Sequence, residues 1–193
     1  MVSSPMPPDS RRAFFRATFG DLGKRLLAGT EERVVQRRYL RPPGALPEVA
    51  FLAACTRCGD CAAACPPKAI VLEGPGGGLA AGTPFLDVRT EPCLGCPDMP
   101  CAAACPTDAL TLPTAGWDGY RLGRLELVPE RCVTFLGTPC GRCVEVCPVG
   151  PDALALDAGG HPVIRVEGCI GCGTCVQACP TTPSSFVLIP AES

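Results

Sequence analysis

Sixteen cysteines in 193 residues are the side chains here whose type and spacing could do chemistry, and all of them fall into four runs that end in Cys-Pro. The first run, CTRCGDCAAACP, carries Cys55, Cys58, Cys61 and Cys65. The second, CLGCPDMPCAAACP, carries Cys93, Cys96, Cys101 and Cys105, with two extra residues between its second and third cysteines. In the third, seven residues separate Cys132 from CGRCVEVCP, which holds Cys140, Cys143 and Cys147. The fourth, CIGCGTCVQACP, carries Cys169, Cys172, Cys175 and Cys179.

Thiolates at this spacing are ligands. The first and fourth runs match C-x2-C-x2-C-x3-C-P, in which three thiolates hold one [4Fe-4S] cluster and the fourth ligates its neighbour. Three sulfurs spaced by two residues can wrap three corners of a cubane on one tight loop. Glycines at Gly59, Gly95, Gly171 and Gly173 let backbone approach the cluster and offer N–H groups to its sulfurs. Four runs therefore predict four [4Fe-4S] clusters with all sixteen cysteines as iron ligands. A disulfide framework would need an oxidising compartment and leaves the repeated Cys-Pro ending without a reason. Zinc favours paired C-x2-C hooks closing one tetrahedral site, whereas three or four cysteines crowd each loop here.

The fourth cysteines can be exchanged in two ways. Adjacent pairing joins runs one with two and three with four; nested pairing joins one with four and two with three. The two regular runs bracket the two stretched ones, which favours nesting. Cys179 would then complete the set of Cys55, Cys58 and Cys61, and Cys65 that of Cys169, Cys172 and Cys175, with Cys147 and Cys105 exchanged between the inner two.

These loops need elements to hold them, and the flanks repeat as well. AIVL, ALTL, ALAL and FVLI follow the four Cys-Pro endings, and PFLDV, RLELV and PVIRV precede the last three runs. Each reads as a short strand, and GPGGGLAAGT, PTAGWDGYRLG and DAGGH read as hairpin connectors. The fourth cysteine is expected to begin a short helix directed away from the loop. The fold class is α+β: two pseudo-repeated bacterial two-cluster ferredoxin-like domains with short helices and β-hairpins, preceded by an N-terminal helical arm. The expected division is a basic arm, amphipathic helix and Pro-rich linker over 1–47 and a body over 48–193, with repeat units of about 48–84, 85–123, 124–160 and 161–193.

Composition agrees with a fold held by metal. Gly and Pro together number 45, aromatic residues only 10, so little bulky surface is available for burial. Charge is divided: the segment from Ser10 to Arg41 carries +6 and the chain from Pro42 onward −7. An acidic body argues against nucleic-acid binding, and no apolar run approaches the roughly 20 residues of a membrane span. Nothing suggests catalysis. The acids form no pair suited to acid–base work, and GPGGG reads as a loop rather than a nucleotide cradle. His161, the one histidine, reads as a solvated loop residue, and Trp117 and Tyr120 as packing within the central connector.

From Tyr39 onward, YLRPPGALPEVAFLAACTRCGDC, GTPFLDV, the two stretched runs and CIGCGTCVQACPT resemble the polyferredoxin-like MauM/NapG family of ferredoxin-type proteins. The resemblance implies a non-catalytic electron relay, passing electrons from a membrane-bound, quinol-linked donor to a redox partner, itself part of a larger oxidoreductase. A broader similarity, to four-cluster subunits of molybdenum oxidoreductases, implies the nested pairing. Two alternatives carry different predictions: an accessory ferredoxin that helps an oxidoreductase mature, and a zinc-stabilised interaction module.

Arg11 and Arg12 in SRRAFFR resemble the start of a twin-arginine export signal. Such a signal needs an apolar stretch next, and Asp21, Lys24, Arg25, Glu31 and Glu32 interrupt every candidate. Phe15, Phe19, Leu22 and Leu26 recur instead at the period of an amphipathic helix. The expectation is a cytoplasmic protein, peripheral at a membrane at most, with twin-arginine export to the periplasm as the alternative.

Overall fold

The structure is a computed structural model and describes residues 39–191. The expected arm helix, with Arg11, Arg12 and the Phe15 to Leu26 stripe, lies outside the described residues. Two halves of like construction follow one another. The first contains α1 (Glu48–Ala54), α2 (Asp60–Ala64), β1 (Ile70–Leu72), β2 (Pro84–Leu86) and α3 (Pro100–Ala103). The second contains β3 (Gly123–Leu127), α4 (Arg142–Glu145), β4 (Leu154–Leu156), β5 (Pro162–Ile164), α5 (Thr174–Ala178) and β6 (Phe186–Pro190).

Each half closes on itself with two antiparallel ladders. In the second half β3 pairs with β6, Gly123 opposite Pro190 and Leu127 opposite Phe186, while β4 and β5 form a hairpin with Leu154 opposite Ile164. The first half repeats this with the β1–β2 hairpin, Ile70 opposite Leu86, and a single bridge between Ala45 and Leu110. The expected strand ALTL is thus reduced to one bridging residue.

Gly44 explains the close approach at that bridge. Its φ is +79°, and a Cβ there would overlap the carbonyl oxygen of Thr111, so only glycine fits. Residues 39–47, read from sequence as linker, are built into the body. Leu40 and Arg41 are buried, and the Leu86 N–H donates to the Leu40 carbonyl at 2.8 Å.

PTAGWDGYRLG is not a hairpin. Leu110 is taken by Ala45 and β3 by β6, so the segment crosses from one half to the other instead of turning back. Trp117 and Tyr120 pack edge to face at 5.8 Å and anchor this crossing to the first half. The Trp117 indole N–H donates to the Cys96 carbonyl at 2.9 Å, and the Gly44 N–H donates to the Tyr120 hydroxyl at 2.8 Å.

The short helices also differ from expectation. α2 and α5 contain the third cysteine of their runs, Cys61 and Cys175, and stop at the fourth, Cys65 and Cys179, which are extended. Both start from a glycine in left-handed conformation, Gly59 and Gly173, at φ 84°. The proline after each fourth cysteine disfavours helical geometry at the residue before it, so Cys-Pro ends the helix and does not begin one.

The core is small, as composition predicted. Around Phe51, Met99, Ile70, Leu86 and Leu110 in the first half, the remaining buried positions are mostly alanine and cysteine. In the second half the core is Leu125, Leu154 and Phe186 with Cys143 and Cys175. Cysteines thus supply a substantial part of what is buried. Among the described residues no helix is long and apolar enough to cross a membrane.

Candidate functional site

Three cavities each bring together three cysteines of one run and a fourth from its neighbour. Cys93, Cys96 and Cys101 share theirs with Cys65. Cys132, Cys140 and Cys143 share theirs with Cys179, and Cys169, Cys172 and Cys175 with Cys147. The same three-plus-one arrangement of sulfurs recurs in all three. Cys55, Cys58 and Cys61 are left with Cys105.

This is adjacent pairing, and it overturns the nested arrangement. Cys65 does not join Cys169, Cys172 and Cys175, nor does Cys179 join Cys55, Cys58 and Cys61. Cys147 and Cys105 are likewise not exchanged between the second and third runs. The cause is topological: α2 packs on α3 and α4 on α5, so a chain leaving a helix at its fourth cysteine meets the loop of the sister run in its own half. The spacing of the stretched runs carries no information about that packing.

The quartets fit a cluster better than a single ion. Among the described residues no three Cys, His, Asp or Glu side chains converge on one metal position, whereas the four sulfurs surround a void. No disulfide joins any of the sixteen. Donors face the sulfurs as cluster ligands require. The Leu110 N–H points at Cys105 Sγ at 3.4 Å and the Gly95 N–H at Cys93 Sγ at 3.5 Å. Threonine hydroxyls lie 3.2 Å from the sulfurs of Cys132 and Cys179 and 3.3 Å from that of Cys172. Each of these threonines follows its cysteine by two residues, at Thr134, Thr181 and Thr174, a regularity that the sequence displays but that spacing arguments about cysteine alone pass over.

The family description "4Fe-4S dicluster domain" matches residues 54–109, 92–151 and 124–180. The ferredoxin-type protein NapG of Escherichia coli is 36% identical over 188 residues, covering 89% of this chain and 81% of that protein. The methylamine utilization ferredoxin-type protein MauM of Methylophilus methylotrophus is 39% identical over 165 residues, covering 80% and 72%. The chain belongs to the NapG and MauM ferredoxin-type proteins. Like them it is an electron-transfer protein of tandem 4Fe-4S dicluster domains, with four clusters. The polyferredoxin MvhB of Methanothermobacter marburgensis is 37% identical over 116 residues, covering 59% of this chain and 24% of that protein. No solved structure matches.

For a ferredoxin-type protein the thiol electrostatics matter, because a ligand must lose its proton. Burial pushes Cys61, Cys101 and Cys143 up to about 11 and Cys93 up to about 12, and neighbouring cysteines add to the rise. Cys179 goes the other way. Burial raises it, but the hydrogen bonds from Thr181 and Ser185 outweigh that and bring it down to about 7. Cys105 is lowered in the same manner: burial opposes, and donors from Thr107 and Leu110 prevail. These two occupy the same place in their halves, the fourth cysteine of a Cys-Pro-Thr sequence.

Two residues read as bystanders take part in the site. Trp117 lines the cavity of Cys65, Cys93, Cys96 and Cys101. His161 is not simply a solvated loop residue: its ring stacks on Phe135 at 4.1 Å and its Nδ1 lies 3.3 Å from Thr134 Oγ1, whose own partner is Cys132 Sγ. The loop holding it is set by Asp157, which accepts N–H bonds from Gly159 and His161 at 2.8 and 2.9 Å.

Proposed function

We propose that the sixteen cysteines ligate the four clusters in adjacent pairs, two clusters per half, and that the protein relays electrons from a membrane-bound, quinol-linked donor to a larger oxidoreductase. The observation that carries this is the recurrence of one cavity three times, each with three sulfurs from one loop and a fourth from the sister loop. When bound, each cluster accepts and releases one electron. The chain holds the sulfurs in place, aims N–H and O–H donors at them and limits water, the factors that set potential. The four repeat units of the sequence correspond to the four loops, and the arm before them is the segment that would engage a partner or an anionic membrane surface.

Iron and sulfide analysis of protein isolated without oxygen tests the cluster assignment: about sixteen of each per chain and paramagnetic signals on reduction. Colourless protein with stoichiometric zinc would sink it. Deleting the protein from cells tests the relay, which predicts an assembled but electron-starved oxidoreductase; an immature partner assigns the accessory role instead. We place the protein on the cytoplasmic side, because charged residues break every apolar stretch after Arg11 and Arg12. A reporter fused after Arg41 and recovered outside the cytoplasm reverses that placement.

A further inference from the structure

We infer that the four cluster positions form one line whose order is first, second, fourth, third, so that the second and fourth quartets are the neighbours that connect the halves and the first and third are the terminals. The inference rests on the relay reading and deepens it. Within each half, exchange of the fourth cysteine makes the two quartets neighbours, first with second and third with fourth. What remains is which quartet of one half faces which quartet of the other.

The seam between halves answers this. The Cys93 N–H of the second run donates to the Cys172 carbonyl of the fourth at 3.2 Å. Thr174 closes the contact, its hydroxyl 3.3 Å from Cys172 Sγ and 3.5 Å from the Cys93 carbonyl oxygen. Cys93, Cys172 and Thr174 are all buried, so no solvent layer separates the two loops there. Further contacts of the seam join the same two regions. Ile170 of the fourth run packs at Gly95 of the second, and a Cβ at Gly173 would strike the side chain of Val88, just ahead of the second run. The Leu122 N–H donates to the Ile170 carbonyl at 2.9 Å, and the Gln177 amide to the Thr90 carbonyl at 3.1 Å. By contrast, among the described residues no hydrogen bond joins the third loop, residues 132–147, to the first half.

Sequence order would put the third quartet beside the second, because those runs are consecutive. The crossing segment, anchored by Trp117 and Tyr120, instead delivers β3 and brings the fourth loop against the second. Exposure fits the terminal assignment of the first quartet, where Cys58 is exposed and Cys55 and Cys105 are half-buried, against three buried cysteines in the second. At the other terminal, Phe135 and Leu136 are exposed beside Cys132, offering an apolar patch over the third quartet.

Anomalous scattering at the iron edge from crystals of the holoprotein tests the order directly. Four iron centres are expected, with the Cys93 centre next to the Cys172 centre and the Cys55 and Cys132 centres at the two ends. A Cys132 centre lying between those of Cys93 and Cys172 overturns the inference while leaving the relay reading intact; fewer than four iron centres removes both. In solution, Cys140→Ala, which disables the third quartet, is expected to relieve magnetic broadening on one remaining centre, because a terminal member has one neighbour. Relief on two centres overturns the order.

Discussion

The guanidinium of Arg41 meets the carboxylate of Glu48 through two parallel hydrogen bonds, Nε to Oε2 at 2.9 Å and Nη2 to Oε1 at 2.6 Å. Its remaining nitrogen, Nη1, donates to Thr83 Oγ1 and the Pro84 carbonyl, and the guanidinium carbon Cζ lies 4.6 Å from the ring centres of both Tyr39 and Phe51. One side chain thus ties the entry segment, α1 and β2 together. Arg41→Met removes the charge that Glu48 and the Pro84 carbonyl were built to meet. Loss of one partner of a buried pair costs about 3–5 kcal/mol, and because Glu48 is partly exposed the lower end applies. The expected result is a fall in holoprotein melting temperature of about 5–10 °C by calorimetry. Arg41→Lys should recover little, since an ammonium cannot make the bidentate contact.

Adjacent pairing makes a prediction about which substitutions act as one. Cys65 and Cys93 line the same cavity although they stand in different runs. Cys65→Ala and Cys93→Ala should therefore each degrade the same centre, and the double variant should lose no more iron than either alone, about four atoms per chain. Cys65→Ala combined with Cys172→Ala should lose about eight. Iron counts together with the number of paramagnetic signals on reduction check this, and the opposite pattern would restore nested pairing.

The chain from His161 through Thr134 to Cys132 Sγ gives the third centre a tunable ligand. Thr134→Val removes a hydroxyl donor of similar size. A hydrogen bond of ~0.5–1.5 kcal/mol translates into a potential lower by roughly 20–60 mV for a one-electron couple. Asp157, whose carboxylate is held low by the N–H groups of His161 and Gly159, stays ionised beside the imidazole. Spectroelectrochemical titration checks the lower potential, and His161→Phe, which keeps the stack on Phe135 but removes the Nδ1 partner of Thr134, should shift the same centre and no other.

Much of this was legible in the sequence, for reasons that differ from residue to residue. The four runs could be read because cluster ligation fixes both ligand type and spacing on a single loop. Strands such as PFLDV and FVLI could be read because each is short, apolar and bounded by turn residues. What escaped is non-local. Whether Cys65 meets Cys93 or Cys172 depends on α2 packing against α3, and no local pattern encodes that contact. ALTL looks like its three sister strands, yet only Leu110 pairs, because its partner is the entry segment at Ala45. Helix placement failed for a local reason that was available: proline restrains the residue before it, so Cys65 and Cys179 could end a helix more readily than start one.

Cluster removal should unfold the body rather than leave an empty scaffold. The buried set contains few large side chains, Phe51, Met99 and Leu154 being the largest fully buried apolar ones, and cysteines fill much of the remainder. Without iron these sulfurs line cavities, and the packing they leave behind forfeits the contacts that hold α2 on α3 and α4 on α5. Oxidative stripping with a chelator is therefore expected to abolish near-ultraviolet circular dichroism together with the visible absorption, in one transition. Reloading should depend on pH with a definite sign. In the unfolded, stripped chain the thiols lose the burial that raises Cys61, Cys93, Cys101 and Cys143 in the folded protein, and return to about 8.5, the value of a free cysteine. Binding must release the thiol protons, so the yield of reconstituted protein from iron and sulfide under reductant should rise from pH 7 to pH 9. A stripped protein that kept its near-ultraviolet signal, or reloaded equally well across that range, would show that the cysteine quartets are not what closes the fold.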